Sequence, residues 1–369
     1  MTAKKLILLL TIFGLISIVG LAQISKEEDE EIVKIDTQIV DVPIVVTDKT
    51  GKPLLNLKQT NFVIYEDGKR QEVSDFSATA APFELTLLLD TSGSTRSDLS
   101  LIQRAAGNFI SSLRVGDKVS IISYNSTRRD NQTLAVSEVL SSLTDNRNQL
   151  KTALEQAKTS NGTPYYDSLL QVTEKIFNQP ASEEFRGRRA LVALTDGVDS
   201  TSLAEFEEAR EELEKAGIIC YFIKVDTREF FEENLLGDCE SAIRFSQAQI
   251  RRYYRQFGRN SKMEKAANFC QLGDFERLAV SKSLYELADF QMQILAKNSG
   301  GKVFPVADFT EARNAFKSVA DEIGTKYSLG YYSSNEKRDG AQRKIKVELK
   351  GVPVGAKIRA REGYTAPNN

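Results

Sequence analysis

The sequence predicts an α/β fold: a doubly wound, mostly parallel sheet of Rossmann-like layout, inserted into a small β-sandwich built from both chain ends. Three observations predict it. Residues 85–89 form an apolar run of the kind found in strands buried on both faces. Similar runs recur at 188–195 and 218–225, with helix-period segments between them. Both ends of the chain instead carry period-two patterns, at 35–76 and 326–362.

Composition narrows the function. The chain has 369 residues, 41% apolar and 27% charged, ordinary for a globular protein and long enough for two domains. A formal net charge of −2 gives no general attraction to nucleic acid or an anionic membrane. There is no histidine, which excludes Ser-His-Asp and Cys-His catalysis, zincin motifs and histidine metal ligands. It also removes the usual general base near neutral pH.

Residues 1–22 read as an export signal. Lys4 and Lys5 precede an almost wholly apolar run, and Gly20-Leu21-Ala22 places small residues before Gln23. The alternative is an uncleaved anchor, although the run is near the lower limit for spanning. The expected location is the periplasm, cell surface or medium, with membrane contact only if the segment stays attached. Of the three cysteines, Cys220 lies in an apolar run and reads as a buried thiol. Cys239 and Cys270 share one polar, helix-like segment and are the disulfide candidates that export permits.

In chain order, residues 23–34 are an acidic linker. Val40, Val42, Ile44 and Val46 share one face of a first strand, and 62–65 and 71–76 give two more. This is the first half of the sandwich, residues 35–82. The central domain spans 83–325. After the strand at 85–89, a helix follows at 99–113, a strand at 117–124, a short edge strand at 133–136 and a helix at 149–157. A helix after Pro164 runs through Phe177, with Pro164 at its first position. Past the strand at 188–195, Ser202 and Glu205 have capping-box spacing for a helix at 203–215. Further helices are expected at 283–298 and 310–323, around a strand at 302–306. Strands at 326–333, 343–349 and 356–362 complete the sandwich over 326–366.

The first buried strand ends abruptly in Asp90-Thr91-Ser92-Gly93-Ser94. The carboxyl ends of strands are where open α/β sheets place ligands. Three oxygen-bearing side chains at alternate positions on a Gly-containing turn can converge on one point. Hard, oxygen-only donors suit Mg²⁺ or Mn²⁺. The spacing Asp90-x-Ser92-x-Ser94 resembles the metal-ion-dependent adhesion site of von Willebrand factor A (VWA) domains. Thr163, between Gly162 and Asp167, resembles that family's second metal loop. Asp196-Gly197, at the end of a strand, resembles the third.

The wider layout resembles the VWFA-related family described mainly from Acidobacteria. The matching residues are Val46-Thr47-Asp48, Gly51-Lys52-Pro53, Asn61-Phe62, Glu66-Asp67-Gly68 and Arg359-Ala360-Arg361-Glu362-Gly363-Tyr364. The resemblance covers about residues 35–366, apart from an insertion at 227–280. It implies direct metal ligation by Ser92, Ser94 and Thr163, with Asp90 and Asp196 acting mostly through water. It also implies an open coordination position for a partner's carboxylate. The chain is then a non-enzymatic, metal-dependent protein-binding module without nucleotide or nucleic acid.

Other readings remain beside this one. The chain could be a structural or assembly protein with a vacant site, binding through the insertion. A metal-dependent phosphohydrolase with Asp90 as nucleophile would place a second Asp where Ser92 stands. The insertion reads either as a partner-binding cap with an arginine face (Arg244, Arg251, Arg252, Arg255) or as a solvated helical excursion. Ser299 and Lys302 have S-x-x-K spacing but sit in a Gly-rich turn and read as structural. Asn161-Gly162-Thr163 is also a glycosylation sequence, but modification there would crowd the site.

Overall fold

The computed structural model describes residues 39–77, 82–129, 132–257 and 269–368. The predicted signal at 1–22 and linker at 23–34 lie outside the described residues.

The first strands are β1 (Ile39–Thr47), β2 (Phe62–Glu66), β3 (Lys69–Gln71) and β4 (Val73–Ser77). The central strands are β5 (Glu84–Leu89), β6 (Lys118–Arg129), β7 (Gln132–Thr144), β8 (Arg189–Thr195), β9 (Ile219–Val225) and β10 (Lys302–Val306). The last are β11 (Tyr327–Tyr332), β12 (Gln342–Leu349), β13 (Lys357–Ala360) and β14 (Gly363–Thr365). Helices are α1 (Leu99–Ser112), α2 (Arg147–Glu155), α3 (Tyr165–Gln171), α4 (Phe206–Lys215), α5 (Arg228–Glu233), α6 (Gln247–Phe257), α7 (Asp274–Ser299) and α8 (Ala312–Ile323).

The two chain ends form the sandwich together. One sheet has the order β13-β1-β11-β4 and the other β14-β12-β2-β3. Alternate residues of β1 (Val40, Val42, Ile44, Val46) point into a core with Phe62, Ile64, Tyr327, Leu329, Tyr331, Ile345 and Val347. The strand expected over 71–76 is in fact two strands. β3 turns back on β2 through Asp67 and Gly68, whose φ angles are 47° and 81°. β4 crosses to the other sheet and pairs with β11.

The central sheet has the order β10-β9-β8-β5-β6-β7. All its pairs are parallel except β6–β7. Leu85, Leu87 and Leu89 pack on one face with Ile102, Phe109, Leu150 and Phe316, from α1, α2 and α8. Leu88 faces the other side, with Leu169, Phe206, Met292 and Leu295 from α3, α4 and α7. The sheet is doubly wound, and the chain departs in opposite directions from the adjacent strands β5 and β8. Their carboxyl ends therefore flank the crevice that this topology makes.

Several boundaries differ from expectation. The edge strand at 133–136 is a 13-residue strand, and β6 continues past Tyr124 to pair with it. The serines along β7 interrupt the apolar alternation that would have revealed it. Pro164 precedes the first turn of α3 instead of occupying it, and a π-helical turn at Val172–Ile176 follows that helix. The Ser202–Glu205 capping box does not form. α4 starts only at Phe206, with Glu205 at its N-cap and no side-chain cap. Ser202 is instead drawn to Asp199 and to the amide of Asp167.

Among its described residues the insertion is not a solvated helical excursion. Residues 239–246 are non-helical, and α7 begins at Asp274, inside the predicted insertion. A separate core gathers Leu235, Phe245, Ile250, Phe269, Leu272, Val280 and Leu284. Cys239 and Cys270 form a disulfide with Cα atoms 5.3 Å apart, and Cys220 is a buried free thiol. Closing a loop of this length stabilises by about 3–4 kcal/mol on chain-entropy grounds. Reduction should therefore speed amide exchange in 228–257 while the main melting transition stays cooperative. Loss of cooperativity across the whole protein would contradict a local role for the bridge.

Candidate metal centre

Three loops meet at the carboxyl ends of β5 and β8. The first follows β5, with Asp90, Thr91 and Ser92 buried. The Ser92 amide donates to Asp90 Oδ1 at 3.0 Å, turning the chain back over the carboxylate. Ser92 Oγ and Ser94 Oγ are 3.2 Å apart. Thr95 Oγ1 donates to Ser92 O at 2.9 Å and closes the turn. Thr91 serves the scaffold: its hydroxyl donates to Tyr124 O at 2.9 Å and accepts from Tyr124 N at 3.1 Å.

The second loop is tied to the first by the Ser160 amide, which donates to Thr91 O at 2.7 Å. It is tied to the third by the Thr163 amide, which donates to Ser200 Oγ at 2.8 Å, and by the Ser200 amide, which donates to Thr163 O at 3.0 Å. Gly162 allows this approach, because a Cβ there would lie 2.7 Å from Thr201 Cγ2. Asp167 does not join the donors. Its Oδ1 accepts from the amides of Leu203 and Ala204 at 3.1 and 2.9 Å, anchoring the approach to α4.

The third loop follows β8. Thr195 Oγ1 donates to Asp90 Oδ2 at 2.7 Å, which joins it to the first. Asp196 Oδ1 accepts from the Val198 amide at 2.9 Å. Its Oδ2 accepts from Thr227 Oγ1, which in turn lies 2.9 Å from the Tyr285 hydroxyl. Asp199 is buried and paired with Arg252, and accepts from the amides of Tyr165 and Tyr166 at 3.0 and 3.3 Å.

The electrostatics are those of a place short of positive charge. Burial raises the Asp90 carboxyl, and only hydroxyl and amide donors oppose the rise. Asp196 is pushed up to about 7, first by burial and then by Asp90. Two neighbouring carboxyls whose proton affinity is raised, both by desolvation and one also by the other's charge, suit a divalent cation, which would relieve both. Among the described residues no group of three or more His, Cys, Asp or Glu side chains could hold a metal. A cation here would rely on hydroxyl donors beside the two aspartates, as Ser92, Ser94 and Thr163 offer.

A pH dependence follows. Protons and metal compete for Asp196, so metal affinity should fall as pH drops through about 7, with proton release on binding near pH 6 that vanishes near pH 8. Calorimetry in buffers of different ionisation enthalpy reads that release. Without metal, the folded state binds more protons than the unfolded chain between about pH 4 and 7. The site's stability contribution is therefore present at low pH and lost as pH rises through about 7. Metal-free melting that is flat across this window would contradict the shift.

The sequence pattern points to Asp90, Ser92, Ser94, Thr163 and Asp196. It misses Thr195, Asp199, Thr227, Arg252 and Tyr285, which hold those residues or their loops. Thr227 was within reach of topology. β8 and β9 are parallel neighbours with Thr195 opposite Lys224, so residues just past β9 must lie beside Asp196. Arg252 and Tyr285 carry no such signal, because their approach depends on how the insertion folds.

Residues 84–250 match the family model described as the von Willebrand factor type A domain. Comparison with curated proteins gives no match. Among solved structures, proximal thread matrix protein 1 from the mussel byssus aligns at 12% identity and TM-score 0.42, over 75% of this chain and 51% of that chain. A form of the byssus protein with a zinc-occupied MIDAS motif aligns at 13% identity and TM-score 0.40, over 70% and 49%. A von Willebrand factor type A protein from Catenulispora acidiphila aligns at 11% identity and TM-score 0.42, over 90% and 75%. The chain spans about half the length of the byssus protein.

Proposed function

Residues 84–250 form a von Willebrand factor type A domain, and on that premise we propose that the protein is an exported, metal-dependent protein-binding module. Ser92, Ser94 and Thr163 hold a Mg²⁺ or Mn²⁺ ion directly, and Asp90 and Asp196 support it, mostly through water. Neutral hydroxyls leave much of the ion's charge uncompensated, and Mg²⁺ requires six oxygens at near-octahedral geometry. One position stays open to solvent and favours an anionic oxygen. An Asp or Glu carboxylate of a protein partner completes the shell, and the surrounding surface supplies the rest of the affinity.

The observation that carries this reading is the pair of aspartates, Asp90 buried and raised by that burial, and Asp196 half-buried and raised by desolvation and then by Asp90, beside two serine hydroxyls 3.2 Å apart. A hydrolytic role for Asp90 lacks support from its surroundings. Both its oxygens are engaged, by the Ser92 amide and the Thr195 hydroxyl, and Ser92 stands where a phosphohydrolase of that type would carry its acid. Export rests on residues 1–22 and accords with the disulfide. No helix among the described residues is long and apolar enough to cross a membrane.

The test measures Mn²⁺ affinity alone and with an excess of an Asp- and Glu-rich peptide, against the same peptide with Asn and Gln. The acidic peptide should tighten Mn²⁺ binding, because each ligand strengthens the other by the same factor. Equal Mn²⁺ affinity with both peptides would contradict carboxylate capture.

A further inference from the structure

The 227–257 segment reaches the third loop of the site. At its start, Thr227 donates to the Asp196 carboxylate and meets the Tyr285 hydroxyl of α7 at 2.9 Å. Farther on, Arg252 pairs with buried Asp199. The same guanidinium sits 4.9 Å from the ring centroid of Tyr166 and donates to Ser202 O at 3.4 Å. Between these contacts, Val198 of the third loop packs against the insertion's own core. Asp196, Val198 and Asp199 are thus each held by a group from outside the minimal α/β core. The arginines of α6 are accordingly not one free face, since Arg252 is turned inward and Arg255 pairs with Glu205 at 3.1 Å.

We propose that the 227–257 segment, together with Tyr285, is a clamp that fixes the third metal loop. Thr227 and Tyr285 orient the Asp196 carboxylate, Val198 is the plug, and Arg252 pins the loop through Asp199. The proposal rests on the metal reading above and adds that the disulfide-tied insertion sets the site's affinity. Thr227, Tyr285 and Arg252 are positioning residues, acting on the ion through Asp196 and Asp199. Without the Thr227 hydroxyl, Asp196 Oδ2 loses the bond that fixes its direction. A partner that orients a metal-supporting group in this way commonly accounts for about 10–100-fold in affinity. The coupling is reciprocal, so an ion that favours the held loop also favours the closed clamp.

The test titrates Mn²⁺ into the full chain, Thr227→Val and Thr227→Ser, and follows amide exchange of 228–257 in wild type with and without Mn²⁺. Thr227→Val keeps the shape and loses the donor, so its dissociation constant should rise about 10-fold or more. Thr227→Ser keeps the hydroxyl and should bind as wild type. In wild type, Mn²⁺ should slow exchange in 228–257. Thr227→Val binding as tightly as wild type overturns the clamp while leaving the metal reading intact. Exchange in 228–257 that ignores Mn²⁺ overturns it equally, and needs no variant to fold. No Mn²⁺ binding in wild type overturns both readings.

Discussion

Asp90→Ala should abolish metal binding and leave the fold in place. The carboxylate lies at the junction of the first and third loops, accepting from the Ser92 amide at 3.0 Å and from Thr195 Oγ1 at 2.7 Å. Removing it takes away one of two acidic groups at a site whose other donors are neutral hydroxyls, so affinity should fall by roughly 100-fold or more. Stability should respond far less. Alanine leaves two donors unpaired, at a cost of about 1–3 kcal/mol each. It also removes a buried carboxylate that is unfavourable without a cation. These effects oppose each other, so the metal-free variant should melt within a few degrees of wild type. Equilibrium dialysis against Mn²⁺ and a thermal scan without metal separate the two. A variant that retains Mn²⁺ would remove Asp90 from the site, and one that fails to fold would make it a structural residue.

Gly301→Ala should cause a large loss of stability, about 3 kcal/mol, because overpacking against backbone has no cheap relief. A Cβ at Gly301 would lie 1.9 Å from the carbonyl oxygen of Cys220 and 2.6 Å from its carbon. Both belong to β9, which is held between β8 and β10 and cannot retreat. Gly300, at φ 75°, ends α7, and its carbonyl accepts from buried Lys326 Nζ at 2.6 Å. The Glu362 amide donates to Asn298 O at 3.3 Å beside it. This turn therefore joins the central sheet to the segment entering β14. The melting temperature should fall by on the order of 5–10 °C. A variant melting with wild type would show that β9 has room there.

The frame of the protein was legible because burial leaves strong patterns. A strand covered on both faces must be apolar along most of its length, as 87–89 and 190–194 are. A sandwich strand with one face inward must alternate, as 40–46 does. The elements whose bounds differ from expectation do so for physical reasons. β7 is half-exposed and serine-rich, β3 and β4 are separated by Glu72 alone, and the first turns of α7 carry charge between apolar residues that face the insertion. The Ser202–Glu205 pattern misled because a capping box is a local signal. Asp199, brought close by tertiary folding, is a stronger partner for the Ser202 hydroxyl than the helix amides.

The candidate site was legible for a different reason. Its donors lie at short spacing on strand ends, where topology alone brings them together. Asp90 and Asp196 are far apart in sequence but directly follow adjacent parallel strands. Of the supporting groups, Thr227 follows from the pairing of β8 with β9, but Arg252 and Tyr285 were not legible, since they reach the loops only once the insertion has built its own core. Val198 illustrates the difference. In sequence it is an apolar residue in a turn, whereas in the fold it joins the loop after β8 to the insertion.

The central claim is that the crevice between β5 and β8 holds one divalent cation. Calorimetric titration of Mg²⁺, and separately of Mn²⁺, into the full chain tests it most directly, repeated with an acidic peptide present. Binding of one ion per chain, tighter at pH 8 than at pH 6 and tighter with the peptide, is the predicted result. Absence of binding for both ions, with and without the peptide, would contradict the account. The raised carboxyls of Asp90 and Asp196 would then belong to a structural crevice.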